Sequence, residues 1–370
     1  MTRIKIPDNI ARIQPYVPGK PIEEVEREFG LKDSVKLASN ENPLGPSPRA
    51  VETLRKAASG VHRYPDGGGF YLRNRLSEIH GLPANQIILG NGSTELVEIL
   101  ARTFLGQDGN AVIAEQSFIM YRLAVTAVNG NARLVPLKKM KYDLPTMSER
   151  VDGATRLVYI ANPNNPTGTY IAHRELVDFL EGVSPEVLIV LDEAYREYVE
   201  RPDYPDSLAL LKQGKRIAIL RTFSKIHGLA GLRVGYALTL AGIVEAAERV
   251  RSPFNTNSLA QAAALAALDD RDHVERSRRH NTEQRGFVQK ALEGDGVRFI
   301  ESVANFVLVD TGRNAEEVFS ALVREGVIIR PMSAYDLPTW VRVTIGTHAE
   351  NLAFLRAIRK LLRPGKFMKA

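Results

Sequence analysis

Between residues 86 and 238, short apolar runs recur at intervals wide enough for a helix between neighbours. They are IILG (87–90), AVIA (111–114), RLVYIA (156–161), VLIVLDEA (187–194), RIAILRT (216–222) and VGYAL (234–238). None alternates apolar with polar, so each reads as a strand buried on both faces. The stretches between them, such as TELVEILARTF and HRELVDFLEG, carry helical periodicity. Alternation of this kind predicts an α/β fold with a mostly parallel sheet covered by helices on both sides. Ligands of such sheets bind outside the carboxyl ends of the strands, where the motifs described below fall.

After about residue 240 the pattern changes to long helices, followed by VRFIES, NFVLVD, VIIRP and WVRVTI, which predict a smaller α+β domain. The N-terminal stretch is rich in proline and weak in periodicity, and reads as an extended arm that packs on something else. The expected division is an N-terminal arm over 1–45, a large domain over 46–249 and a small C-terminal domain over 250–370.

Composition narrows the classes. The 370 residues suffice for two domains of roughly 150 residues each. With no cysteine, disulfides and zinc-thiolate sites are excluded, and no metal is expected. The 49 basic and 43 acidic residues give a net charge of +6, but the signs are interleaved. In RDHVERSRRHNTEQR (271–285) the mixture reads as the solvated face of a helix, so no nucleic-acid partner is expected. The N-terminus has no apolar signal core, and no run reaches the roughly eighteen apolar residues of a membrane span, so a cytoplasmic protein without a membrane partner is expected. A positive balance still favours anionic substrates.

Candidate chemistry centres on RTFSKIHGLAGLR (221–233). A lysine amine becomes a nucleophile once burial or neighbouring cations remove its proton, and it then forms Schiff bases with aldehydes. Beside Lys225, Ser224 offers a hydroxyl and Arg233 a guanidinium, across the small residues Gly228, Ala230 and Gly231. This is the make-up of a phosphate clamp, so a phosphorylated aldehyde suits the whole stretch. GNGSTE (90–95) stands between a strand and a helix and is either an anion site at the helix N-terminus or a simple N-cap. Asp192, at the end of a buried strand, calls for a cationic partner unless it caps a helix. In NPNNPTG (162–168) a rigid turn aims Asn162, Asn164 or Asn165 at the strand ends, and Asn165 is the selected candidate.

Taken together and in order, NPNNPTG, DEAY, TFSK and GLAGLRVGYA resemble the pyridoxal-phosphate aminotransferases of fold type I. The segments SNENPLGPSP (39–48), RYPD (63–66), GNGSTE and IIRPMSAYDLPTWVRVTIGT (328–347) resemble the histidinol-phosphate branch of that family. The resemblance implies a seven-stranded, mostly parallel sheet and pyridoxal 5'-phosphate as cofactor. It implies Lys225 as the residue that bonds the cofactor and moves the substrate proton, Asp192 as partner of the pyridine nitrogen, and Tyr195 and Asn165 as partners of the ring 3-oxygen. Gly92, Ser93, Thr94, Ser224 and Arg233 would hold the phosphate, Phe118 would stack on the ring, and Tyr64 would reach the phosphate from a second subunit. Tyr16, Asn42, Arg330 and Arg342 would bind substrate. A homodimer with shared active sites follows, as does transamination of L-histidinol phosphate with 2-oxoglutarate, giving imidazole acetol phosphate and glutamate in histidine biosynthesis. An aromatic amino-acid aminotransferase or a phosphothreonine decarboxylase-like enzyme is the alternative on the same scaffold. Ile226 and His227 depart from the pattern. They are expected to crowd or polarise the cofactor's partner-facing side, with His227 as a packed, hydrogen-bonded histidine.

Overall fold

The structure is a computed structural model that describes residues 4–15, 21–106 and 108–362. Its strands are β1 (Val35–Lys36), β2 (Ile87–Gly90), β3 (Asn110–Ala114), β4 (Asn131–Val135), β5 (Thr155–Ala161), β6 (Leu188–Asp192), β7 (Ile217–Thr222), β8 (Gly235–Leu238), β9 (Arg298–Ile300), β10 (Phe306–Asp310), β11 (Val327–Ile328), β12 (Arg330–Pro331) and β13 (Trp340–Thr344). Seven form the central sheet in the order β2-β8-β7-β6-β5-β3-β4. β3 to β7 pair in parallel, and β8 runs antiparallel to both β2 and β7.

The apolar runs behave as expected because successive residues face opposite layers. Val158, Ile160, Ile189 and Leu191 point into one core with helices Pro48–Ala57 and Phe70–His80. Leu157, Tyr159, Leu188 and Val190 point into the other with helix Gly92–Phe104. The strand missing from the apolar runs is β4, NARLV, at the sheet edge. Only its last residue is buried, and an edge strand tolerates the polar residues that hide it from an apolar search.

A second, four-stranded antiparallel sheet, β12-β13-β10-β9, lies with helices Ala315–Arg324 and His348–Leu362 around a separate core. Helix Ser258–Leu268 packs Ala260, Ala263, Ala264 and Ala267 into the large core, which therefore extends past residue 250. Helix Arg271–Gly294 buries His273, Ser277, Asn281, Val288 and Leu292 and leaves most of the charged residues between them to solvent.

The expected arm is more structured than its prolines suggest. Pro21 precedes helix Ile22–Phe29, and Gly30 at φ 66° ends it in the left-handed region that glycine adopts without strain. Val25 packs with Val323 and Ile328, and β1 pairs in parallel with β11. Residues 21–36 thus complete the smaller unit. A helix of two turns leaves too short a period to stand out beside four prolines. The next segment crosses to the larger unit, where Asn42 Nδ2 donates to Ile226 O (2.8 Å) and Ser277 Oγ (2.9 Å), and Ser47 Oγ donates to Asp270 Oδ2 (2.6 Å). Among the described residues, no helix is long and apolar enough to cross a membrane.

Candidate active site

The carboxyl ends of β5, β6 and β7 and the N-terminus of helix Gly92–Phe104 open into one cavity of about 170 Å³. Ser93, Thr94, Phe118, Asn165, Asp192, Tyr195, Ser224, Lys225, Arg233, Arg330 and Arg342 all line it. Eleven of the residues proposed from sequence therefore meet in one place.

Lys225 follows the end of β7 and donates from Nζ to Ser39 O at 3.1 Å. Burial first, then the Arg342 and Arg233 guanidinium groups, lower its pKa to about 8, against the opposing pull of Glu41 and Asp192. The amine is thus poised to shed its proton near neutrality. Asp192, 5% exposed, is pushed up to about 6 by burial; hydrogen bonds from Tyr121 and Ala194 N–H and the charge of Lys225 work in the opposite direction. Tyr195 is pushed up to about 12, chiefly by burial. Its oxygen accepts from Asn40 Nδ2 at 2.9 Å, so its own proton remains available to a ligand.

The asparagine turn sorts itself by hydrogen bonding. Asn162 exchanges bonds with Ile171, accepting from its N–H at 2.9 Å and donating to its carbonyl at 3.2 Å. Asn164 donates to Gln116 O (2.9 Å) and Thr167 Oγ1 (3.0 Å). Asn165 is left on the cavity wall, where its Oδ1 accepts from Arg342 Nη1. With that oxygen engaged, its amide N–H groups are the donors it can offer. Arg342 also donates from Nη2 to Ala38 O at 2.7 Å and sits 5.4 Å from the centre of the Phe306 ring.

A phosphate-sized cradle forms where β2 and β8 meet. Arg233 is held at φ 56°, a left-handed conformation that L residues adopt only under constraint, and donates from Nη1 to Ser224 Oγ at 3.2 Å. A Cβ on Gly92 would stand 2.3 Å from Arg233 Nη2, and one on Gly235 would stand 2.6 Å from Ser93 N. Both glycines let a guanidinium and a helix N-terminus converge, and that union of donors suits a phosphate dianion. Of the two readings of GNGSTE, an N-cap side chain does not account for it, since no side chain caps the helix and Asn91 N instead donates to Glu95 Oε2 at 2.6 Å. The cradle, the buried carboxylate and the low-pKa amine fit a phosphorylated aldehyde with a basic ring nitrogen.

Some expectations find other places. Asn42 is buried behind Ile226, away from the cavity wall, and Asn40, two residues earlier, lines the cavity instead. Tyr64 is 83% exposed and stacks on Phe254 at 4.7 Å outside the cavity. Tyr16 lies outside the described residues. Ile226 packs with Tyr195, Tyr198 and Phe306, and His227 lies against Phe223 at 5.0 Å. Neither side chain lines the cavity; among the described residues His227 Nδ1 is buried without a hydrogen-bond partner, which corrects the expectation of a hydrogen-bonded histidine. Burial, with the neighbouring His273, lowers the His227 pKa to about 4. Sequence reasoning missed Tyr121, whose hydroxyl donates to Asp192 Oδ2 at 2.8 Å. The signal was available, since Tyr121 follows Phe118 by one helical turn in EQSFIMY.

Residues 32–358 match the family described as aminotransferase class I and II. The histidinol-phosphate aminotransferase of Moorella thermoacetica is 46% identical over 97% of this chain and 93% of its own length. Histidinol-phosphate aminotransferase 1 of Nitrosococcus oceani is 48% identical over 95% of each chain. Among solved structures, histidinol-phosphate aminotransferase from Sinorhizobium meliloti, crystallised in complex with pyridoxal-5'-phosphate, superposes with a TM-score of 0.89 at 28% identity, over 98% of this chain and 99% of that one.

Proposed function

The chain belongs to the class I and II aminotransferase family, and from that premise we propose that it moves an amino group from L-histidinol phosphate to 2-oxoglutarate with pyridoxal 5'-phosphate as cofactor. One observation carries the reading. An amine lowered to about 8 shares a cavity with a buried carboxylate and with two separate guanidinium groups, Arg233 tied to Ser224 and Arg342 tied to Asn165.

When bound, pyridoxal phosphate supplies an aldehyde carbon and a protonated ring that accepts the electron pair released at the substrate α-carbon. Lys225 would hold the cofactor through its amine and, once that amine is released by the incoming substrate amine, would take and return the substrate α-proton. Asp192 would pair with the protonated ring nitrogen. Tyr195 Oη and Asn165 Nδ2 would donate to the ring 3-oxygen, and Phe118 would stack on the ring. The N–H groups at Ser93 and Thr94, with Ser224 Oγ and Arg233, would hold the phosphate. Arg342 and Arg330 receive substrate anions, because a planar guanidinium matches carboxylate and phosphate alike and so serves both donor and acceptor.

The exposed apolar side chains Val61, Tyr64, Phe70, Tyr71 and Phe254 support a homodimer whose partner subunit brings its Tyr64 to the phosphate. A biosynthetic enzyme of this kind works in the cytoplasm. Incubating purified protein with 2-oxoglutarate and either histidinol phosphate or phenylalanine, and separately with phosphothreonine, tests the assignment. Glutamate formation fastest with histidinol phosphate is expected. Faster transfer from phenylalanine, or carbon dioxide release from phosphothreonine, overturns it.

A further inference from the structure

Two groups of the chain hold Asp192, the hydroxyl of Tyr121 and the N–H of Ala194, and Tyr121 has had no role assigned so far. Tyr121, in helix Met120–Ala127, is fully buried and donates its hydroxyl to Asp192 Oδ2 at 2.8 Å. Its ring stacks on Tyr159 with centroids 4.9 Å apart and planes 11° from parallel, and it meets Phe118 edge to face at 5.5 Å and 86°. Tyr159 is anchored in turn by a bond from its hydroxyl to Val97 O at 3.1 Å. The phenol therefore cannot turn away without breaking two ring contacts, and burial keeps its proton in place.

We infer that Tyr121 is a positioning residue, whose hydroxyl fixes the plane and the charge of Asp192 for the cofactor's ring nitrogen while its ring sets the wall against which Phe118 rests. The inference rests on the pyridoxal-phosphate reading of the cavity. A carboxylate in a dry site escapes its desolvation cost by taking a proton or by rotating toward another donor. Tyr121 at Oδ2, with Ala194 N–H at Oδ1 (3.1 Å), opposes both routes. The other groups acting on this carboxylate are Lys225 from beyond β7 and Glu193 beside it, with the neutral phenols Tyr142 and Tyr195 nearby. Among the described residues none of these donates a hydrogen bond to it, so the hydroxyl of Tyr121 has no substitute at Oδ2.

Tyr121→Phe keeps the ring contacts and removes the hydroxyl alone. Its thermal midpoint should stay near that of the parent, while the cofactor dissociation constant rises about tenfold to a hundredfold, the range for a hydrogen bond to a charged group. In the apoprotein, carbon NMR of the Asp192 carboxyl should show titration moved to higher pH. In an Asp192→Asn background the same change should alter cofactor affinity by less than about twofold, since a residue acting through the carboxylate loses its effect with it. Tyr121→His, which retains a ring N–H donor, should restore part of the affinity and titration, and serves also if the phenylalanine variant does not fold. Unchanged titration with unchanged affinity overturns the inference, and so does an equal loss of affinity in the Asp192→Asn background, which would reduce Tyr121 to packing. Failure of the parent protein to bind pyridoxal phosphate would overturn the functional reading instead, and the apoprotein titration would still decide the role of Tyr121.

Discussion

Asp192 should make the apoprotein less stable than it need be, and the size of that penalty can be worked out. Its carboxyl titrates at about 6 when folded against 3.8 for a free side chain, a difference of about two pH units. At roughly 1.36 kcal/mol per pH unit the folded state gives up about 3 kcal/mol once the group is ionised. The sign follows from proton counting. Between the two values the folded chain binds more protons than the unfolded chain, so stability falls as pH rises. The penalty is absent below 3.8 and complete above about 6. Asp192→Asn removes the charge but leaves the Ala194 N–H or Tyr121 with a poorer partner, at a cost of about 1 kcal/mol. The apo variant should therefore be about 2 kcal/mol more stable than the parent at pH 7, and about 1 kcal/mol less stable below the free-carboxyl pKa. Urea unfolding of both apoproteins at equal concentration from pH 3.5 to 8 measures this directly. A variant that is no more stable at pH 7, or a difference that does not change with pH, refutes the reasoning. The same variant should lose turnover by about a thousandfold, since an ion pair at about 4 Å with effective dielectric near 20 is worth roughly 4 kcal/mol. Stability gained where activity is lost is the mark of a group kept for chemistry.

Other outcomes follow from the same geometry. Lys225→Ala should stay folded and bind cofactor, yet show no borohydride-reducible link to it and no turnover; normal turnover would remove Lys225 from its role. Gly92→Ala adds a Cβ 2.3 Å from Arg233 Nη2 at a φ of +77°, so cofactor affinity measured by fluorescence quenching should fall at least tenfold, or about 1.4 kcal/mol. Arg342→Lys gives up the planar fork that reaches both Asn165 and Ala38; kcat/KM for 2-oxoglutarate should drop about thirtyfold, corresponding to roughly 2 kcal/mol, with unfolding little changed.

The larger sheet was legible because its inner strands are buried on both faces and so are apolar up to their carboxyl ends, as in LIVLD and IAILRT. β4 and helix Ile22–Phe29 were not, for opposite reasons. One is a polar edge, and the other owes its stability to Val323 and Ile328, which lie about three hundred residues away. The same distinction runs through the site. Lys225, Asp192 and Arg233 announce themselves by what they are, at the ends of recognisable strands. Asn40 and Tyr121 matter because of what they touch, and a hydrogen bond between residues 121 and 192 leaves no pattern in either neighbourhood. Asn42 shows the limit: it and Asn40 are both buried asparagines in one segment, and only the fold decides which amide faces Tyr195.

One stitch in this architecture has a consequence on the ribosome. Asn40 N–H donates to Thr344 Oγ1 across 304 positions of chain, and β1 cannot pair until β11 has been made. The segment that lays Ser39 and Asn40 along the cavity wall is thus made some 304 residues before its partner Thr344 and is among the last to settle. At about 5–20 residues per second it waits roughly 15–60 seconds for its partners. During that interval the larger core can form around a cavity with one wall missing, so a nascent or C-terminally truncated chain should be able to fold yet retain no cofactor.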